Sequence, residues 1–282
     1  MNAISTTAPR LVVRGDQVRA GDRNIAEEVA VALVYGGSTH AVLMATPAEL
    51  KDLAVGFSLT EGVIERPEDI ADLEVIDQGD GIELRMWLAG PAADAFRARR
   101  RAMVGPTGCG LCGVESLAEA IRPIAPICGD LCVTSAQLSQ AVRALDGQPL
   151  GSATRAAHAA GFWTAAEGLV VAREDVGRHN ALDKLAGALA TSGRSGREGI
   201  VVLTSRVSVE MVQKAARMGA PILAAISAPT GLAVRTARDA GVTLVAVARD
   251  DGFEVFCHPW RLGLPSAGLG KTPKRSPHSA DA

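Results

Sequence analysis

The chain has 282 residues, 48% hydrophobic and 21% charged, with a formal net charge of −2. That composition predicts a globular protein with a sizeable core and argues against the disordered and fibrous classes. A near-neutral balance and 3% aromatic residues do not suit a nucleic-acid binder, which needs a basic surface and stacking platforms. No run reaches the roughly 18 apolar residues that span a bilayer. Residues 1–9 lack the apolar stretch of a signal peptide, so a reducing cytoplasm is the expected compartment, where cysteines are reactive or metal-binding more often than paired.

In chain order, residues 1–10 read as a loose arm, followed by strands over 11–18 and 27–34. Tyr35-Gly36-Gly37-Ser38 is a turn into a returning strand over 40–45. Thr46, Pro47 and Glu49 have the residue types of an N-cap, first helical position and capping box, with Leu50, Leu53, Ala54 and Phe57 on one helix face. Strands over 73–76 and 82–88 flank Asp80-Gly81, and a basic helix over 92–103 follows. After residue 105 a short helix over 114–121 and a helix over 135–145, capped by Ser135, lead to paired strands near 162–164 and 169–172. A regular alternation comes next: helix 175–189 capped by Asp175, strand 200–204, helix 209–218, strand 221–227, helix 232–240, strand 242–248 and a last strand 253–257. The strands at 200–204 and 242–248 are almost wholly apolar, the pattern of a sheet covered by helices on both faces. The predicted architecture is α/β: a smaller α+β lobe over 11–105, then a three-layer lobe over 106–262, with 1–10 and 263–282 as disordered tails.

Chemistry concentrates in Gly105-Pro106-Thr107-Gly108-Cys109-Gly110-Leu111-Cys112-Gly113. Four glycines in nine residues leave the backbone uncovered. Arg99, Arg100 and Arg101 arrive just upstream, and a helix start follows, an environment that favours thiolate over thiol. Three readings stay open on spacing alone. Cys109 and Cys112 are a thiolate and its supporting or resolving partner, or they form a zinc site with Cys128 and Cys132, or each is a small buried hydrophobe. A second dense stretch, Arg173 to Asn180, reads equally as a capped surface helix or as a binding or proton-handling site, with His179 and Asp183 one turn apart. The strand-end segments around Ser205 and Arg206, around Thr230, and around Arg249 carry hydroxyls and cations. They lie where open α/β sheets hold phosphate-bearing ligands.

Several stretches together resemble the formate dehydrogenase accessory sulfurtransferases, the FdhD/NarQ family. They are Val31-Ala32-Leu33-Val34-Tyr35, Gly56-Phe57-Ser58-Leu59-Thr60-Glu61-Gly62, Arg99-Arg100-Arg101-Ala102, residues 107–115 (TGCGLCGVE), residues 174–185 (EDVGRHNALDKL), residues 205–214 (SRVSVEMVQK) and His258-Pro259. The resemblance implies a cytoplasmic, dimeric sulfurtransferase that takes persulfide sulfur from a cysteine desulfurase. It would pass that sulfur to the bis-molybdopterin guanine dinucleotide form of the molybdenum cofactor, for formate dehydrogenase. It implies that Cys109 carries the persulfide and that Cys112 is its second cysteine. It also implies a cytidine-deaminase-like second domain, no permanently bound metal, and a cofactor-binding stretch Val247-Ala248-Arg249-Asp250-Asp251-Gly252. There Asp250, Asp251 and Gly252 depart from the family's more basic pattern. A zinc-binding structural protein and a nucleotide-binding chaperone without sulfur transfer are the alternatives.

Overall fold

A computed structural model describes residues 3–103, 124–127, 129–249 and 251–266. It opens on a hairpin of β1 (Ser5–Arg14) and β2 (Gln17–Ala26), paired antiparallel along its whole length. The expected loose arm over residues 1–10 is therefore corrected from Ser5 onward. The first six residues of β1, mostly polar or small, form strand because β2 supplies every ladder partner through a turn at Gly15, which has φ 59°.

The smaller lobe is a four-stranded sheet in the order β4 (Ser38–Ala45), β3 (Val29–Tyr35), β6 (Ile82–Leu88), β5 (Ile70–Asp77). Its buried face carries Val31, Leu33, Leu84 and Met86, which pack on Leu53 and Ala54 of α1 (Leu50–Thr60) and Phe96 of α2 (Gly90–Met103).

The larger lobe holds a six-stranded mixed sheet ordered β12 (Gly252–Cys257), β11 (Thr243–Arg249), β10 (Ile222–Ala225), β9 (Ile200–Leu203), β7 (His158–Thr164), β8 (Gly168–Asp175). Strands β9, β10 and β11 run parallel, and β7 and β12 run against them. One sheet face packs against α5 (Arg178–Thr191), α6 (Val209–Arg217) and α7 (Gly231–Asp239). The other packs against α3 (Ser135–Ala144) and Leu262. This double cover explains why β9 and β10 are apolar at every position. A short α4 (Pro149–Thr154) joins α3 to β7.

Three capping expectations shift. Helix α1 starts at Leu50 with Glu49 at φ 46° as its cap residue and no side-chain cap bond. Thr46 is used elsewhere: its N–H donates to Asp175 Oδ2 (3.0 Å) and its Oγ1 accepts from Val176 N (3.2 Å). Helix α3 is capped by Thr134, one residue before Ser135, in a capping box with Gln137. Asp175 lies before α5 and does not cap it. It is fully buried against Lys184 Nζ at 2.7 Å.

The lobes meet along α1 and α5. A Cβ on Gly56 would overlap the Asp183 carbonyl, and one on Gly187 would overlap the Asp52 carbonyl, so the two helices touch backbone to backbone. The predicted domain boundary at 105/106 lies outside the described residues, as does the helix predicted over 114–121.

Candidate functional site

Parallel strands send their carboxyl ends to one edge of the larger sheet, and three predicted ligand segments gather there. The segment after β9 and the segment after β10 run side by side: Val207 N donates to Ala228 O (3.2 Å) and Thr230 N donates to Val207 O (2.9 Å). Val247 N donates to Ser227 O (3.2 Å), which brings the end of β11 to the same edge. Val247 has φ 51° at an irregularity in the β11–β12 pairing. Ser205, Arg206, Thr230 and Val247 thus belong to one assembly.

Their side chains are not equally available. Arg206 and Arg249 are exposed. Ser205 is buried with its hydroxyl donating to Arg206 O (3.1 Å). Thr230 Oγ1 accepts from Ala233 N (3.2 Å) as the cap of α7. Ala248 is 2% exposed and faces the core under α3. Asp251 and Gly252 form the exposed hairpin end. Within the cofactor stretch Arg249 is therefore the exposed cation among the described residues, with Asp251 the exposed carboxylate beside it. Cys109, Cys112 and Asp250 lie outside them.

The edge also carries groups that the strand-end reasoning missed. Strand β8 runs parallel to β9, so α5 begins at this edge, and β7 begins here with His158 paired to Asp175. The first turn of α5 holds Arg178 and His179 and no acidic residue. Cations at a helix N-terminus oppose the macrodipole, each costing roughly 0.3–1 kcal/mol. With no side-chain cap on α5, the Arg178 charge beside the helix start suits an anion. Arg178 Nε is buried and has no hydrogen-bond partner, which is costly for a group of this kind. Burial, followed by the Arg178 and Arg206 charges, holds His158 below the ordinary imidazole pKa. Burial, followed by Arg178 and Lys214, does the same to His179. Both shifts favour the neutral ring, which has a nitrogen lone pair to offer.

Behind this edge two buried ionic clusters tie the lobes together. Lys214 Nζ donates to Asp183 Oδ1 (2.9 Å) and Oδ2 (3.0 Å), to Glu61 Oε1 (2.9 Å) and to Thr60 Oγ1 (3.0 Å). Burial works against the Lys214 charge, but Asp183 and Glu61 outweigh it and raise its pKa. In the second cluster Asp175 accepts from Thr46 N, Gly177 N (2.8 Å) and Asn180 Nδ2 (3.0 Å), while Lys184 Nζ donates to Thr46 O (3.0 Å). Asp183 and His179 share a helix face as the one-turn spacing requires, yet Asp183 is committed to Lys214.

The remaining cysteines separate by environment. Cys257 is fully buried, donates its thiol to Val242 O, and burial pushes its pKa up to about 11, so it is inert. Cys132 is exposed and unpaired. Among the described residues no group of three or more His, Cys, Asp or Glu is arranged to hold a metal. Cys109, Cys112 and Cys128 are not among them. No helix of the described residues is long and apolar enough to cross a membrane.

Comparison with known proteins places this architecture. A sulfur carrier protein FdhD from Agrobacterium fabrum is 53% identical over 257 residues, covering 90% of this chain and 95% of that protein. A protein of the same name from Bordetella petrii is 47% identical over 258 residues, covering 90% and 92%. A crystal structure of a putative formate dehydrogenase accessory protein from Desulfotalea psychrophila superposes with a TM-score of 0.72. It is 28% identical and covers 92% of this chain and 100% of that one. The model of the FdhD/NarQ family matches residues 26–263, and the chain belongs to that family.

Proposed function

We propose that this protein is a sulfur carrier that receives sulfur as a persulfide on Cys109 and delivers it to a guanine-dinucleotide molybdenum cofactor destined for formate dehydrogenase. The observation that carries the reading is the 53% identity, over nearly full length, to a protein named as a sulfur carrier. Cys109 sits in the glycine-rich stretch whose cationic neighbours favour a thiolate. In the loading step the Cys109 thiolate attacks the outer sulfur of a persulfide on a cysteine desulfurase. The donor's S–S bond breaks, the donor leaves as thiolate, and Cys109 holds the new persulfide. For release, Cys112 attacks the inner sulfur. The outer sulfur departs as hydrosulfide, and the resulting Cys109–Cys112 disulfide is reopened by a thiol reductant.

The cofactor is substrate in this scheme, and its nucleotide phosphates belong at the carboxyl edge of the larger sheet. The unpaired Arg178 Nε, the exposed Arg206 and Arg249, and the start of α5 supply the positive field there. The neutral rings of His158 and His179 accept protons in the same place. The helix layers on both sheet faces agree with a cytidine-deaminase-like second domain. A cytoplasmic homodimer is part of the same reading.

The test is mass spectrometry of the intact protein after incubation with a cysteine desulfurase and cysteine. One added sulfur atom on Cys109, absent in Cys109→Ala, is the expected result. Full formate dehydrogenase activity in cells carrying only Cys109→Ala would overturn the assignment.

A further inference from the structure

All of the β1–β2 hairpin but its last residue, Ala26, precedes the residues that the family model matches. Its register puts Arg10 and Arg14 of β1 on the same ribbon face as Arg19 and Arg23 of β2, since paired residues share a face and faces alternate. The β2 strand packs along α4, anchored by Arg23 Nη2 donating to Thr154 O (2.9 Å). Between them lies a cavity of about 460 Å³ whose charged walls are Arg10, Arg14, Arg23 and Arg155 against a single carboxylate, Asp22.

Three physical points mark this cavity as a site. Four guanidinium groups converge in a chain whose net charge is −2, so the clustering is local and not a reflection of a basic protein. Among the described residues Arg10, Arg14 and Arg155 make no ion pair, so their charges are open to a ligand. Arg155 sits at φ 59° as the C-cap of α4, a left-handed position that glycine or asparagine fills more cheaply. Its side chain is held over the cavity at the expense of backbone comfort.

We propose that this cavity binds an oligophosphate group, with the arginines of the hairpin and Arg155 clamping its oxygens and fixing the hairpin against α4. Guanidinium forks match phosphate oxygens in pairs, which an isolated lysine cannot do. The volume lies within the range of small-ligand sites. Ser152 and Arg155 also line a second cleft of about 410 Å³ that reaches Ala159, Glu174 and Thr204, which lies beside the first for a nucleotide bearing the oligophosphate. A two-stranded ribbon is marginal by itself in water. Binding therefore doubles as a clamp on residues 5–26.

The assignment is independent of sulfur transfer by Cys109, and its test keeps the two apart. Isothermal titration calorimetry of the full chain uses inorganic pyrophosphate in one arm and a nucleoside diphosphate in the other. Pyrophosphate binds the wild type, weakens as salt rises, and slows hydrogen exchange of residues 5–26. The double variant Arg14→Gln/Arg155→Gln, altered only at exposed positions, weakens pyrophosphate about tenfold or more and keeps its far-UV circular dichroism. Arg206→Gln leaves this binding intact. Tighter binding of the nucleoside diphosphate than of pyrophosphate identifies a nucleotide as the source, and equal affinity identifies the phosphate group alone. Pyrophosphate binding that survives the double variant and disappears in Arg206→Gln overturns the proposal. So does a cavity that ignores millimolar pyrophosphate, including one that takes an acidic peptide instead.

Discussion

Lys214 shows how a single side chain is fixed by its surroundings. It is nearly fully buried, with two carboxylates and a threonine hydroxyl around one ammonium group. Removing one partner of such a pair leaves an uncompensated buried charge, at a cost of about 3–5 kcal/mol. Lys214→Met is expected to lower unfolding free energy by that amount in urea titrations. The double variant Lys214→Met/Asp183→Asn is expected to recover part of the loss, because it removes both charges. At Cys109 the prediction concerns chemistry and not stability: Cys109→Ala is expected to keep a thermal midpoint close to that of the wild type and to fail to accept sulfur. Metal analysis of the reduced wild type is expected to find well under one zinc per chain. A tightly held zinc lost in Cys109→Ala would favour the structural-zinc alternative.

At the scale of elements, α1 and α5 approach so closely that two glycines are required. Gly56 and Gly187 face the backbones of Asp183 and Asp52, atoms that cannot move aside as a side-chain tip can. Gly56→Ala and Gly187→Ala are each expected to destabilise by about 3 kcal/mol, the upper end of ordinary overpacking, read as a fall in thermal midpoint. Gly193→Ala makes a useful contrast, since no atom lies within 4 Å of its Cβ and only its φ of 70° is strained. It is expected to cost roughly 1 kcal/mol. The α1–α5 contact also explains why Thr46 and Asp175 are absent from the caps that local sequence suggests. Each has a partner from the other lobe, and a buried charge needs that partner more than a helix end needs a cap.

At the scale of the whole molecule, pH acts through the imidazoles at the sheet edge. His158 and His179 have folded-state pKa values below the ordinary imidazole value near 6.5. The unfolded chain therefore binds more protons between the folded and unfolded values, and stability rises with pH through that window. The contribution is fully present above about pH 6.5 and declines as pH falls through the folded values. Urea midpoints measured from pH 5 to pH 8 are expected to fall toward the acid end, with a smaller slope in His179→Asn. A flat profile, or one rising toward acid, would contradict lowered imidazole pKa values in the folded state.

The sequence by itself determined the alternation of the larger lobe. Apolar runs such as 200–203 and the helix between each pair of strands are local signals, and β6 appears over the very residues that periodicity predicts. It also determined the family, through short stretches spread from Val31 to Pro259. The tertiary structure alone decided what those stretches do. Thr60 and Glu61, Asp183, and Lys214 come from three separate motifs and close one buried cluster, which no spacing rule announces because the contacts span up to 154 positions. The hairpin over 5–26 was only partly legible: the strand expected over 11–18 runs across the turn at Gly15, and the two strands are almost wholly exposed, so their register comes from each other and from α4 and not from a buried hydrophobic face. The carboxyl edge of the larger sheet lies between these cases. Its loops could be read from strand ends, but Arg178 and His179 joined them only when parallel β8 delivered α5 to the same edge.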